Sequence, residues 1–205
     1  MMQLQQLPLI GPLSKHSKHL TKGDHLLHFY ESHLALASLL CDFIIPGLAA
    51  NEGIIIIATH DTRSTLERAL QQRGVRAEDY IKTGQLVLLD AAAVLSSLCE
   101  KGAPDSELFM KIVGSVVGDL HKKFPHIRAY GEMVSLLWQR PDPVATLKLE
   151  RLWNRLAEDH HFTLFCGYHQ AHTVSPKGSA QLSGVCCSHT HVLTADGNLR
   201  LIGVA

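Results

Sequence analysis

Glu132 stands where a carboxylate can do chemistry. It closes the run Ile127-Arg128-Ala129-Tyr130-Gly131, which follows the Lys122–Pro125 breaker and reads as a strand, and Trp138 lies shortly beyond it. In an open α/β sheet, ligands gather just beyond the carboxyl ends of the strands. A carboxylate held beside aromatic surface at that point is costly to desolvate unless it has a partner. Arg128, His60 or a ligand could supply one. The plainer alternative is that Glu132 only caps a turn or pairs with Arg128. Tyr30-Glu31, Thr59-His60-Asp61, Asp90 and Tyr168-His169 occupy similar positions at the ends of other inferred strands. If those strands run parallel, these residues ring one ligand-binding crevice with Trp138 as a wall. Aromatic faces with a few acids and an imidazole suit a small, neutral or cationic, partly apolar ligand and disfavour a polyphosphate.

Other chemistries are weaker. The chain carries 14 histidines, and the sharpest cluster is Cys186-Cys187-Ser188-His189-Thr190-His191. On a strand, alternate residues share a face, so Cys187, His189 and His191 are the candidate metal ligands. The paired ligand spacing of structural zinc sites is absent, so no metal or other cofactor is expected. Cys166 and His169 could form a thiol nucleophile, but Cys166 lies inside an apolar run where burial keeps a thiol neutral. No G-x-S-x-G elbow is present. A phosphate loop needs glycines for backbone N–H approach and a lysine for charge. After the first strand the chain instead reads Glu31-Ser32-His33-Leu34-Ala35-Leu36-Ala37, and neither a Gly-Lys pair nor G-x-G-x-x-G occurs anywhere.

A chain of 205 residues at 46% hydrophobic suffices for one α/β domain. Nineteen basic residues balance nineteen acidic ones, which removes the global electrostatic case for nucleic acid. No apolar run reaches transmembrane length, and the first ten residues lack a basic n-region, so no membrane association and a cytoplasmic location are expected. Five cysteines without framework spacing fit reduced thiols.

The pattern alternates. His25–Tyr30 reads as a strand, and Leu36, Leu39, Leu40 and Phe43 fall at helical spacing. Ile54-Ile55-Ile56-Ile57-Ala58 is the β-branched run of a parallel strand buried on both faces. A helix capped by Asp61 or Thr62 follows, then the strand Gln85–Asp90, helices over 91–100 and 106–123, the strand closing at Gly131, a helix over 143–159 and a strand over 162–168. Residues 1–22 read as a flexible lead-in, and 171–184 as loop. Asp196-Gly197 between apolar runs signals a terminal hairpin over about 185–204. Such alternation implies right-handed βαβ units: a three-layer α/β sandwich with a mostly parallel sheet and a C-terminal antiparallel hairpin, forming one domain over 23–205.

Several short motifs, in order, resemble the MEDS domain, the methanogen/methylotroph DcmR-type sensory domain. They are His28-Phe29-Tyr30-Glu31-Ser32, Phe43–Leu48, Glu52–Ile56, Gly84–Asp90, Arg128–Val134, Leu149–Asn154 and Leu164–Tyr168, with a weaker echo over Cys186–Val192. The resemblance implies a divergent RecA/KaiC-like fold that has lost its phosphate loop and senses small molecules such as hydrocarbon derivatives. Members often sit beside histidine kinases or DNA-binding domains. Neither kind of segment is visible in these residues, so the output is expected to pass through a partner protein such as a histidine kinase or regulator, with a homodimer also open. The expectation is a non-catalytic sensory, ligand-binding protein in signal transduction. The alternatives are a degenerate RecA-like nucleotide-binding protein and a pure interaction adaptor.

Overall fold

A computed structural model describes residues 9–17, 20–100, 102–139, 143–170 and 178–202. Its described elements run β1 (Leu9–Pro12), α1 (Leu13–His16), β2 (His25–Tyr30), α2 (His33–Ala49), β3 (Gly53–Ala58), α3 (His60–Gln72), α4 (Ala77–Thr83), β4 (Leu86–Asp90) and α5 (Ala91–Leu98). A two-residue ribbon, β5 (Cys99–Glu100) with β6 (Ala103–Pro104), precedes α6 (Ser106–Phe109), a π-helical turn (Met110–Gly114) and α7 (Ser115–His121). Then follow β7 (Ile127–Gly131), α8 (Met133–Trp138), α9 (Pro143–His160), β8 (Thr163–His169), α10 (Gly178–Cys187), β9 (His191–Leu193) and β10 (Asn198–Leu201).

Eight strands form one sheet in the order β1-β10-β9-β2-β8-β7-β3-β4. From β9 to β4 every pairing is parallel, and β10 runs antiparallel between β9 and β1. The strands' alternation sorts the core into two layers. Ile54, Ile56, Tyr130, Phe165, Leu26 and Tyr30 face α1–α4. Ile55, Ile57, Ala129, Leu164, Cys166, Leu27 and Tyr168 face α5–α10. All six residues of β3 are buried, as a strand covered on both faces requires.

The three-layer sandwich and the hairpin read from sequence are present, with three corrections. Within the lead-in, Leu9–Pro12 forms β1 and Leu13–His16 forms α1, with Leu13 buried. Residues 178–187, read as loop and hairpin, form α10, and the hairpin is confined to β9 and β10. The cap of α3 is Thr59, whose hydroxyl accepts from the Thr62 N–H, rather than Asp61 or Thr62. Residues 1–8 and 18–19 of the lead-in, 171–177 of the loop and 203–205 lie outside the described residues.

Candidate functional site

The parallel register brings the carboxyl ends of β2, β8, β7, β3 and β4 to one edge. Glu132 sits at the centre of that edge, fully buried on the α2/α3 side. Its N–H donates to the Ile57 carbonyl at 2.9 Å, which fixes the turn leaving β7. Its Oε1 accepts from the Tyr30 hydroxyl and from Thr62 Oγ1 (2.9 Å), and its Oε2 accepts from the Thr59 N–H (2.7 Å). Three donors converge on one carboxylate at the N-terminus of α3, where the helix dipole favours negative charge. Burial, then the charge of Glu132, pushes the Tyr30 hydroxyl far above the usual phenol range.

Arg128 is not its partner. Arg128 lies at the opposite end of β7, paired with Glu52 and donating to Ser17 Oγ (2.9 Å) and the Phe43 carbonyl (3.0 Å). The other expected site residues divide. Tyr30, Thr59 and Glu132 meet directly, and the His169 ring lies 5.0 Å from that of Tyr30. Tyr168 and Trp138 stack edge-on at 5.5 Å on the far face of the sheet. Asp90 caps α5 through the Ala93 N–H and pairs with Arg63 at 2.7 Å; these bonds hold its carboxyl below the usual range, the Ala93 bond foremost. His60 and Asp61 are exposed on the first turn of α3. An open groove of about 490 Å³ does lie at the β2 end of this edge, between α2 and the β9–β10 turn; Phe29, Tyr30, Glu31, Asp42, Gln170 and Asp196 are among its lining residues. The single ten-residue crevice is therefore a buried acidic knot with a groove beside it, and part of the set lies elsewhere.

A second carboxylate is buried on the opposite face. Glu150 of α9 is fully enclosed, with the Tyr168 hydroxyl donating to its Oε1. Around it stand His25 from β2, Cys166 from β8 and His189 from the link between α10 and β9, all buried. His25 Nε2 is 3.2 Å from Cys166 Sγ and 3.6 Å from Glu150 Oε2; His189 Nε2 is 3.6 Å from Glu150 Oε1; Cys166 Sγ is 3.9 Å from Glu150 Oε2. One potential ligand atom from each of the four lies within 4.8 Å of all the others.

The hydrogen bonds assign the tautomers. Asn154 donates through Nδ2 to the Ser188 carbonyl (3.0 Å), so its Oδ1 faces His25 Nδ1 (2.8 Å), which must be the donor. His189 Nδ1 lies 2.6 Å from the Val185 carbonyl, an acceptor only, so it donates as well. Both rings thus turn an Nε2 lone pair inward, and that of His189 has no hydrogen-bond partner. Burial lowers the His25 imidazole to about 4, and burial followed by the nearby His25 holds His189 well below its usual range. Burial raises the Glu150 carboxyl to about 8, against the bonds from Tyr168 and Cys166, and lifts the Cys166 thiol well above its usual range. A raised and fully buried thiol is no nucleophile.

This cluster corrects two readings. Cys187, His189 and His191 do not converge, because Cys187 is the exposed last residue of α10 and His191 faces Asp24 at 3.8 Å. Nor does His169 serve Cys166: the pleat sends positions 166 and 169 to opposite faces, and His25 takes that place through the β2–β8 register. Glu150 did carry a signal, being a charge on the apolar face of α9 at i−3 from Trp153.

Compared with known families, residues 24–190 match the family model described as MEDS, the methanogen/methylotroph DcmR sensory domain. The matched span holds both carboxylate clusters. No curated protein matches the chain.

Proposed function

The chain belongs to the MEDS family, and from that premise we propose that it is a non-catalytic sensor which binds a small organic molecule at the carboxyl edge of the sheet and reports through a partner protein such as a histidine kinase or regulator. The observation that carries this reading is the enclosure of Glu132. Its charge is taken up by Tyr30, Thr59 and Thr62, so it neither waits as an accessible base nor leaves those donors to a phosphate. The groove beside it is lined by Glu31, an exposed acid that repels polyphosphate and attracts small cations, by Asp196, by Asp42, which Arg73 pairs at 2.5 Å, and by the apolar Leu39. Ligand contact with Tyr30 would bear directly on the Glu132 knot, which ties β2, β3, β7 and α3 together, and so give binding a route to the fold.

The test is a thermal-shift and calorimetric titration with the series from methylamine to tetramethylammonium, methanol, and magnesium-ATP as the counter-probe. Native mass spectrometry of freshly purified protein runs alongside. Saturable binding of a small organic probe, weakened by Glu31→Gln, supports the reading. Tight magnesium-ATP binding or hydrolysis would replace it with the nucleotide-binding alternative. Absence of any small-molecule binding would leave the adaptor.

A further inference from the structure

The buried cluster on the far face lies outside the proposed ligand groove, and its geometry has its own reading. We propose that His25, Glu150, Cys166 and His189 form a four-ligand site for a borderline-soft divalent transition cation of the zinc class.

The donor set is the first reason. Two imidazoles, a thiolate and a carboxylate are the ligand types zinc selects, and four protein ligands make a closed tetrahedral site. Ligand bonds of roughly 2.0–2.3 Å at tetrahedral angles put neighbouring donors about 3.3–3.6 Å apart. His25 Nε2 lies 3.2 Å from Cys166 Sγ, His25 and Cys166 lie 3.6 and 3.9 Å from Glu150 Oε2, His189 lies 3.6 Å from the other carboxylate oxygen, and one donor atom from each residue is within 4.8 Å of the rest, so a small closure of the cluster reaches that span. The second reason is orientation. Imidazole ligands of a metal commonly donate their other N–H to a fixed acceptor, which holds the lone pair on the metal. Asn154 Oδ1 does this for His25, and the Val185 carbonyl for His189, while Tyr168 orients the carboxylate. The third reason is the orphan. The His189 Nε2 lone pair is buried without a hydrogen-bond partner, and buried polar atoms are rarely left so.

Charge supports the assignment. A divalent cation with one thiolate, one carboxylate and two neutral imidazoles sums to zero, which suits full burial. Binding displaces the Cys166 proton, and the Glu150 proton where it is present, to solvent; no oxidant or reductant is involved. With every coordination position taken by protein, the ion would hold structure or report its own supply, and has no open position for a substrate. It would pin α9 and the His189 link to the two strands β2 and β8.

The test uses the whole chain, purified without metal-affinity resin and stripped by chelator. Zinc and cobalt are the probes. The expected result is one ion per chain by elemental analysis, visible tetrahedral cobalt bands with a thiolate charge-transfer band, and displacement of cobalt by zinc. Cys166→Ser should abolish the charge-transfer band while circular dichroism shows a retained fold. Asn154→Ala should weaken affinity roughly tenfold or more by loosening His25. Glu31→Gln, in the exposed groove wall, should leave metal affinity unchanged, which separates this site from the groove reading. Folded wild-type protein that takes up no stoichiometric zinc or cobalt would overturn the proposal and leave a buried hydrogen-bond network only. Equal metal uptake by a folded Cys166→Ser, His189→Gln double variant would overturn it as well.

Discussion

Glu132 and Glu150 are both fully buried carboxylates, placed on opposite faces of one sheet, and they are solved differently. Glu132 collects three donors, one of them a backbone N–H fixed by the start of α3. Glu150 collects one phenol, a distant thiol, and two imidazole lone pairs that cannot donate to it. The first is a completed anion site made by the protein for itself. The second is rich in acceptors and short of donors, so only a proton or a cation completes it. The identity of a buried acid's neighbours, donors or lone pairs, decides whether it is a strut or a socket.

The two carboxylates should differ most in their effect on stability. Glu132→Ala strands three donors and should cost about 3–5 kcal/mol, with or without added metal, by urea unfolding. Glu150→Gln in metal-free protein keeps an acceptor for Tyr168 and relieves the buried carboxyl, so it should change stability by no more than about 1 kcal/mol. Equal losses in the two variants would break the distinction. Next, zinc at about a hundredfold excess over its dissociation constant should stabilise wild type by roughly 2.7 kcal/mol. That gain should persist in Glu31→Gln and vanish in His189→Gln, as melting curves with and without chelator would show.

Smaller again, Asn154→Ala removes one hydrogen bond to His25 and one to the Ser188 carbonyl. It should cost about 1–2 kcal/mol without metal and reduce zinc stabilisation further, measured in the same unfolding series. The smallest effect belongs to the groove. Glu31 is exposed, so Glu31→Gln should move stability by less than about 0.5 kcal/mol while lowering affinity for a methylammonium probe in calorimetry. A large stability loss there would mean that the groove wall is part of the core.

The sequence carries these two regions unequally. The strands are plain where β-branched or apolar residues run without interruption, as in Ile54–Ala58, and their parallel order follows from the alternation with helices. That order is enough to bring Tyr30, Thr59 and Glu132 to one edge. It does not show that Tyr168 points to the other face, since that depends on which residue of each strand begins the pleat. Residues 178–187 hide their helix because Gly178, Ser179, Ser183 and Gly184 mimic loop composition. Reading Cys186–His191 as a strand then gives His189 the wrong companions, Cys187 and His191. The Glu150 cluster is assembled from β2, α9, β8 and the link between α10 and β9, so no local spacing announces it.

The place of β2 in the sheet bears on how the chain is made. Its two neighbours are β8 and β9, and β1 waits for β10. On a ribosome adding roughly 5–20 residues per second, the second strand therefore stands unpaired for on the order of ten seconds after it emerges. During that interval β3, β4 and β7 can already join with their helices, while His25–Tyr30 exposes two open edges to any other nascent chain. The domain is thus finished from its far end, and a truncation that removes β8–β10 leaves β2 without either partner.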